Sequence, residues 1–350
     1  MGRAPGTDGG GVGGRLVVAL GTGSSQQSSG PAVDVGSTAD TSASLIGFRY
    51  PEWDFARGRY RIDWCTVAEF DPPNASGEPN PLPSACDRIL RRELARVGLS
   101  HQRHRRQEHG DILDLNAVVD AVVRRAAGGG PDTRVYESRR RTAHDLSVLV
   151  LLDATGSTGE SSMGRRVFDQ QRTLAARLTA ALDDLGGRVA TFGFLSQGRK
   201  SVRFIRVKEF NDRYDIAAQR RLSSLSPAGF TRLGAGIRHA RHILDTRGGT
   251  SRKLLVIIGD GLPYENDYTT AYAEQDSRKA LSEAVTRGIG CVCLSIASTT
   301  DIGVIERVWG DVPHRRLKHP SELSGSVRPL FRSALRIAGA TQRSINNTKP

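Results

Sequence analysis

Four cysteines in 350 residues, Cys65, Cys86, Cys291 and Cys293, are too few and too scattered for a disulfide framework. Cys291 and Cys293 lie two apart in "GCVCLSIA", so on a strand they share one face. No second Cys/His pair has matching spacing, and two buried core cysteines are expected there rather than a metal pair. Aromatic residues make up 6% of the chain. No apolar run approaches the roughly 18 residues of a membrane span. Near the N-terminus only "LVVAL" is apolar, with Gly-rich flanks and no basic lead, so no signal peptide is expected. There is no G-x-x-x-x-G-K-[ST], and "GRKS" lacks the upstream glycines, so the chain itself is not expected to bind ATP. These absences predict a soluble, cytoplasmic protein without a nucleotide site.

What is abundant is arginine and glycine. Fifty Lys+Arg stand against 37 Asp+Glu, a formal charge of +13. That balance favours an acidic partner surface or nucleic acid over an acidic substrate pocket. A genome-wide preference for arginine would produce the same number.

Residues 1–44 are rich in Gly, Ser and Thr, have little to bury and are expected to be disordered. "GGGVGG" and "LGTGSS" are followed by "SSQQSSGPAVD" and not by an amphipathic helix, so they are not a dinucleotide loop. Residues 45–145 form the next segment. Its start, "FRYPEWDFARGRYRIDWCTVAEF", holds two of the chain's three tryptophans with Tyr50 and Tyr60, and predicts a packed extended stretch. "DPPNASGEPNPLPS" breaks the chain. Residues 84–109 are expected to be a very basic helix, with Arg88, Arg91, Arg92, Arg96, Arg103, Arg105 and Arg106. Residues 111–127 show helical spacing of apolar positions, with Asp111 available as a cap.

From residue 146 to 338 the texture is regular. Near-continuous apolar strands ("LSVLVLLD", "RVATFGF", "SVRFIRV", "KLLVIIGD", "GIGCVCLSIA") alternate with helices near 165–185, 232–246, 274–287, 301–309 and 321–337. That pattern means an α/β, doubly wound fold with a mostly parallel sheet covered on both faces. Residues 339–350 are expected to be a flexible C-terminus.

In such sheets ligands bind at the carboxyl ends of the strands. Two strands end alike, "LLD" at Asp153 and "IIGD" at Asp260, each beside glycine-containing turns. Thr155 and Ser157 follow Asp153, and "PAGFTRLG" places Thr231 before a helix. Two carboxylates and three hydroxyls are all hard oxygen donors. They suit Mg²⁺ best, with Mn²⁺ and Ca²⁺ as chemically related alternatives. Taken singly, each residue has a plain structural role open to it: Thr231 as a helix cap, Asp260 as a turn residue.

"DATGS", "GFTRLG" and "GDGLP", in that order, resemble the metal-ion-dependent adhesion site of von Willebrand factor A domains. The resemblance implies a Rossmann-like fold and Mg²⁺ ligands at Asp153, Thr155, Ser157, Thr231 and Asp260. Thr155 stands where the family usually has Ser. Gly156, Thr158, Phe230, Arg232 and Pro263 flank these ligands and are expected on the partner-binding rim. Beyond the domain, "YPEWDFARGRYRIDWCTVAEF", "DILDLNAVVDAVVRR" and "DGLPYENDYTTAYAEQDSRKAL" resemble the C-terminal half of the NorD/CbbO family, the nitric oxide reductase and rubisco activation proteins. That likeness runs over about residues 48–335. It implies an adaptor, not an enzyme: a MoxR/NorQ/CbbQ-like AAA+ ATPase as partner, a metalloenzyme as target, and a partner's acidic residue completing the metal shell.

Two other functions fit parts of the sequence. Metal-dependent hydrolysis would need a general base, and no histidine stands beside these loops; His239 and His242 fall on the helix after Thr231, where surface or packing roles are the usual ones. Nucleic-acid binding would use the Arg clusters of 88–141, but no aromatics interleave with them as stacking platforms. Catalytic residues are therefore expected to be none.

Overall fold

In the computed structural model, the described residues are 47–72, 87–98, 101–110, 112–130, 132–141, 145–156, 162–259, 263–268, 270–296 and 302–347. The expected disordered tail 1–44 lies outside them. In order the elements are β1 (Phe48–Asp54), β2 (Arg59–Phe70), α1 (Arg88–Gly98), β3 (His101–Gln107), β4 (Ile112–Leu113), α2 (Leu115–Ala126), β5 (Tyr136–Arg141), β6 (Leu146–Asp153), α3 (Ser162–Asp184), β7 (Arg188–Ser196) and β8 (Val202–Lys208). There follow α4 (Ile216–Ser224), α5 (Leu233–Arg247), β9 (Arg252–Ile258), α6 (Thr270–Thr286), β10 (Ile289–Ile296), α7 (Ile302–Trp309), β11 (His314–Leu317) and α8 (Leu323–Asn347).

All eight residues of β6 are buried. A strand covered on both faces has no polar side to present, which is why its sequence is apolar almost throughout. Alternate side chains enter two cores. Val148, Val150 and Leu152 pack with α1, α3 and α8; Leu149 and Leu151 pack with α5, α6 and α7. The main sheet runs β1-β2-β8-β7-β6-β9-β10-β11. β6 is parallel to both β7 and β9, β9 to β10, and β10 to β11. β8 returns antiparallel to β7, and β1 antiparallel to β2. The sheet is mostly parallel, as its apolar strands foretold.

The chain leaves β6 for β7 on one side and later returns to β9 on the other. The strand order therefore reverses at β6, and the crevice at its carboxyl end is the topological switch point.

Several expectations change. The basic helix expected over 84–109 ends at Gly98, and His101–Gln107 is a strand antiparallel to β5. The run "HQRHRRQ" has no apolar residue to give a helix a packing face. Asp111 lies outside the described residues; the cap of α2 is Asp114, whose side chain accepts from the N–H groups of Asn116 and Ala117. The main sheet crosses residue 146, because β2 pairs in parallel with β8 and carries β1 with it, while β3, β5 and β4 form a separate three-stranded sheet before that residue. α8 continues through Asn347, across most of the expected flexible terminus. Cys65, Cys291 and Cys293 are buried free thiols, while Cys86 lies outside the described residues. Among the described residues no helix is long and apolar enough to cross a membrane.

Candidate metal centre at the carboxyl end of the sheet

Asp153 is the last residue of β6 and is buried. Its Oδ1 accepts the Thr155 N–H at 3.2 Å, a local turn that fixes the carboxylate just past the strand. Thr155 is fully buried.

Backbone bonds tie this loop to the one before α5. Ala228 N–H donates to the Ala154 carbonyl at 2.9 Å, and Gly156 N–H to the Gly229 carbonyl at 3.0 Å. Gly229 has φ +65°, and a Cβ there would stand 2.4 Å from the Ser196 carbonyl oxygen. Only glycine fits both the left-handed backbone and the close approach. Two residues on, Thr231 is buried and pairs with Tyr264 through N–H···O bonds of 2.9 and 3.0 Å. It does not cap α5; the residue at that position is Arg232, which makes no side-chain cap bond. The third loop leaves β9 at Gly259, where a Cβ would lie 2.8 Å from Asp153 Cβ. Loops from β6, β9 and the start of α5 thus share one crevice. Asp153, Thr155 and Thr231 are placed there. Ser157, Thr158 and Asp260 lie outside the described residues.

Of the expected rim, Phe230 is 38% exposed. Gly156 is half-buried. Arg232 and Pro263 are not on the rim: both are buried. The guanidinium of Arg232 donates through Nη1 to Glu52 Oε2 at 2.6 Å, through Nε to Glu265 Oε2 at 2.5 Å, and through Nη2 to Asp267. It also lies 4.8 Å from the Tyr268 ring centroid. Burial works against the charge, yet Glu52 and Glu265 raise the pKa of the guanidinium above its ordinary value. A buried arginine demands such partners, and Glu52 is fully buried to supply one. Glu52 also accepts from Tyr272 Oη at 2.6 Å and from the Cys65 thiol at 3.1 Å. Glu265 accepts from Ser196 Oγ at 2.9 Å and from Gly198 N–H at 2.5 Å.

Neither Glu52 nor Glu265 was recognisable in the sequence, because no local pattern marks a carboxylate whose partner lies far along the chain. Tyr264 was also missed. It is 53% exposed, and its ring centroid is 6.2 Å from that of Phe230. Two large aromatics thus stand at the mouth of the crevice on fully paired backbone.

The family model for the von Willebrand factor type A domain matches residues 147–308. The chain is a von Willebrand factor type A domain protein. It is 33% identical to protein NorD of Brucella suis biovar 1 (strain 1330) over 263 residues, 73% of this chain and 41% of that protein. It is 31% identical to protein NorD of Stutzerimonas stutzeri over 259 residues, 71% of this chain and 41% of that protein. The chain thus spans about two fifths of the length of these relatives. Among solved structures, proximal thread matrix protein 1 of the mussel byssus with a zinc-occupied MIDAS motif is 17% identical. That match covers 54% of this chain and 48% of that one, with a TM-score of 0.39. A likeness of that size carries no argument about metal binding.

The donor set itself does. Asp153, Thr155 and Thr231 offer one carboxylate and two hydroxyls, all oxygen and all buried at the switch point, with Gly259 packed closely against the Asp153 side chain. Hard oxygen donors with few carboxylates fit a small divalent cation. Among the described residues no group of three or more His, Cys, Asp or Glu could hold a metal.

Proposed function

We propose that this A domain is a metal-dependent protein-binding module serving as adaptor for a MoxR-type AAA+ ATPase, acting on a target metalloenzyme. The observation that carries the reading is the joining of the 153–156 and 228–231 loops, which brings Asp153, Thr155 and Thr231 to one crevice. With Ser157 and Asp260 they would hold the cation, Mg²⁺ by preference. A cation held mainly by neutral hydroxyls keeps positive charge to offer a partner's carboxylate. The chain's own residues do the rest. Asp153 supplies the anchoring charge, Thr231 is positioned by its pairing with Tyr264, and Phe230 and Tyr264 shield the contact from water. The net charge of +13 would steer an acidic partner. The likeness to NorD proteins supports the adaptor role, as the resemblance to the NorD/CbbO family implies an ATPase partner. The protein is read as a non-enzyme working in the cytoplasm.

Affinity capture with the full chain tests this, run in Mg²⁺, in EDTA and with Asp153→Ala. A AAA+ ATPase bound in Mg²⁺ alone, and lost with the variant, is expected. Capture indifferent to both chelation and substitution would sink the reading.

A further inference from the structure

Helix α2 is amphipathic in the wrong direction for a monomer. Its buried residue is Ala117, with Val118 and Ala121 half-buried. Its large residues face out: Leu115 is 74% exposed, Val119 60%, Val122 62% and Val123 61%. Spaced i, i+4, i+7 and i+8, they form one continuous stripe. Ile112 and Leu113 of β4 and Tyr136 of β5 are exposed as well, and Leu113 pairs with Tyr136 in the ladder. The helix does not lie at a frayed end. Asp114 caps it, and Asp114 N–H donates to the Val135 carbonyl at 2.9 Å. A preformed helix bearing a large apolar stripe marks an interaction site.

The charge beside the stripe identifies the occupant. The register of β3 with β5 sets Arg103 opposite Arg139, Gln102 opposite Arg140 and His101 opposite Arg141. Arg124 and Arg125 close the last turn of α2. Residues 101–141 hold nine arginines against six carboxylates. A duplex or other polyanion would satisfy the arginines but leave Leu115, Val119, Val122 and Val123 in water. A second copy would bring the same arginines to the contact. A membrane surface fits poorly, since α2 has neither Trp nor Phe as an interfacial anchor and Asp120 is exposed on it.

We propose that α2 and the adjoining β3-β5-β4 sheet form a second protein-docking surface, one that takes an amphipathic helix whose apolar stripe is flanked by carboxylates. Helix packs on helix through ridges and grooves of such stripes. This surface lies outside the matched domain of residues 147–308 and needs no metal.

The test is selection of a phage-displayed library of helix-length peptides on the full chain in EDTA, with Val119→Asp/Val122→Asp as counter-selection. Both positions are exposed, and circular dichroism checks that the fold is kept; Val119→Ser/Val122→Ser serves as a milder pair. Enriched peptides should carry apolar residues at i, i+4 and i+7 with Asp or Glu beside them. Their affinity should fall by about tenfold or more in either variant, the loss typical of a central contact, and should be unchanged in Asp153→Ala. Several results would overturn the proposal. These are no enrichment over the variant, enrichment without the carboxylates, or a function of the stripe in binding something else. The last would appear as variant-sensitive binding to anionic vesicles or duplex DNA, or as self-association in sedimentation that the variant abolishes.

Discussion

Arg232 Nη1 donates to Glu52 Oε2 at 2.6 Å in the interior, across 180 residues of sequence, and both side chains are fully buried. This pair fastens β1, an edge strand outside the matched domain, to the residue that follows Thr231. Removing the cation leaves Glu52 and Glu265 buried without it. Arg232→Met should therefore cost about 3–5 kcal/mol in urea unfolding. A loss below about 1 kcal/mol would show that the cluster relaxes or hydrates.

Asp153→Ala separates metal from fold. At about 100 times its dissociation constant, Mg²⁺ should stabilise the native chain by about 2.7 kcal/mol through mass action. The variant should show no such gain while its unfolding without metal stays cooperative. Thermal melts in Mg²⁺ and in EDTA decide it, and a variant still stabilised by Mg²⁺ would place the ion elsewhere.

Thr155 asks whether the hydroxyl or the methyl matters. The side chain is fully buried. Thr155→Ser keeps the oxygen and should keep metal binding. Thr155→Val keeps the shape and loses the oxygen, so the Mg²⁺-dependent rise in melting temperature should shrink or vanish. Equal behaviour of the two variants would remove Thr155 from the ligand set.

Gly229→Ala should weaken both fold and metal binding. The new Cβ would lie 2.4 Å from the Ser196 oxygen with φ at +65°. The strained backbone alone costs about 1–3 kcal/mol. Because Gly229 stands two residues before Thr231, calorimetry with Mn²⁺ should report weaker binding in the folded variant. Unchanged affinity would mean that Thr231 is positioned by Tyr264 alone.

His239 sets a pH dependence. It is fully buried, with Tyr50 Oη 2.9 Å from Nδ1 and Glu69 Oε1 3.3 Å from Nε2, and His242 and Arg247 nearby. Burial lowers its pKa below the ordinary 6.5, outweighing the pull of Glu69. The unfolded chain therefore accepts a proton that the folded chain refuses, and stability falls as pH drops below that ordinary value. Glu69 acts in a separate, more acidic window. Burial raises its pKa, but His239 and Arg247 together hold it below 4.5. Melting temperature should thus decline between about pH 7 and about pH 5.5, and His239→Gln should flatten that decline. An equally steep decline in the variant would assign it to another group.

Much of the A domain could be read from the chain because its signals are local. An apolar run ending in Asp153 declares a strand covered on both faces and a polar group at its tip. Gly229 before Thr231 declares a loop that something approaches closely. Helix boundaries failed where the signal was composition alone, as in 84–109, whose arginines suit helix and edge strand equally.

Sequence by itself determined the alternation of strands and helices, the carboxyl-end position of Asp153 and the oxygen chemistry of the crevice, since periodicity and turn residues act over a few positions. Tertiary structure alone decided that Arg232 is buried, that Glu52 and Glu265 hold it, and that β1 and β2 extend the sheet. It also decided that α2 presents its large residues to water. Each of these depends on which distant groups meet when the chain closes, and a buried charge or an exposed stripe has no local signature until its neighbours are in place.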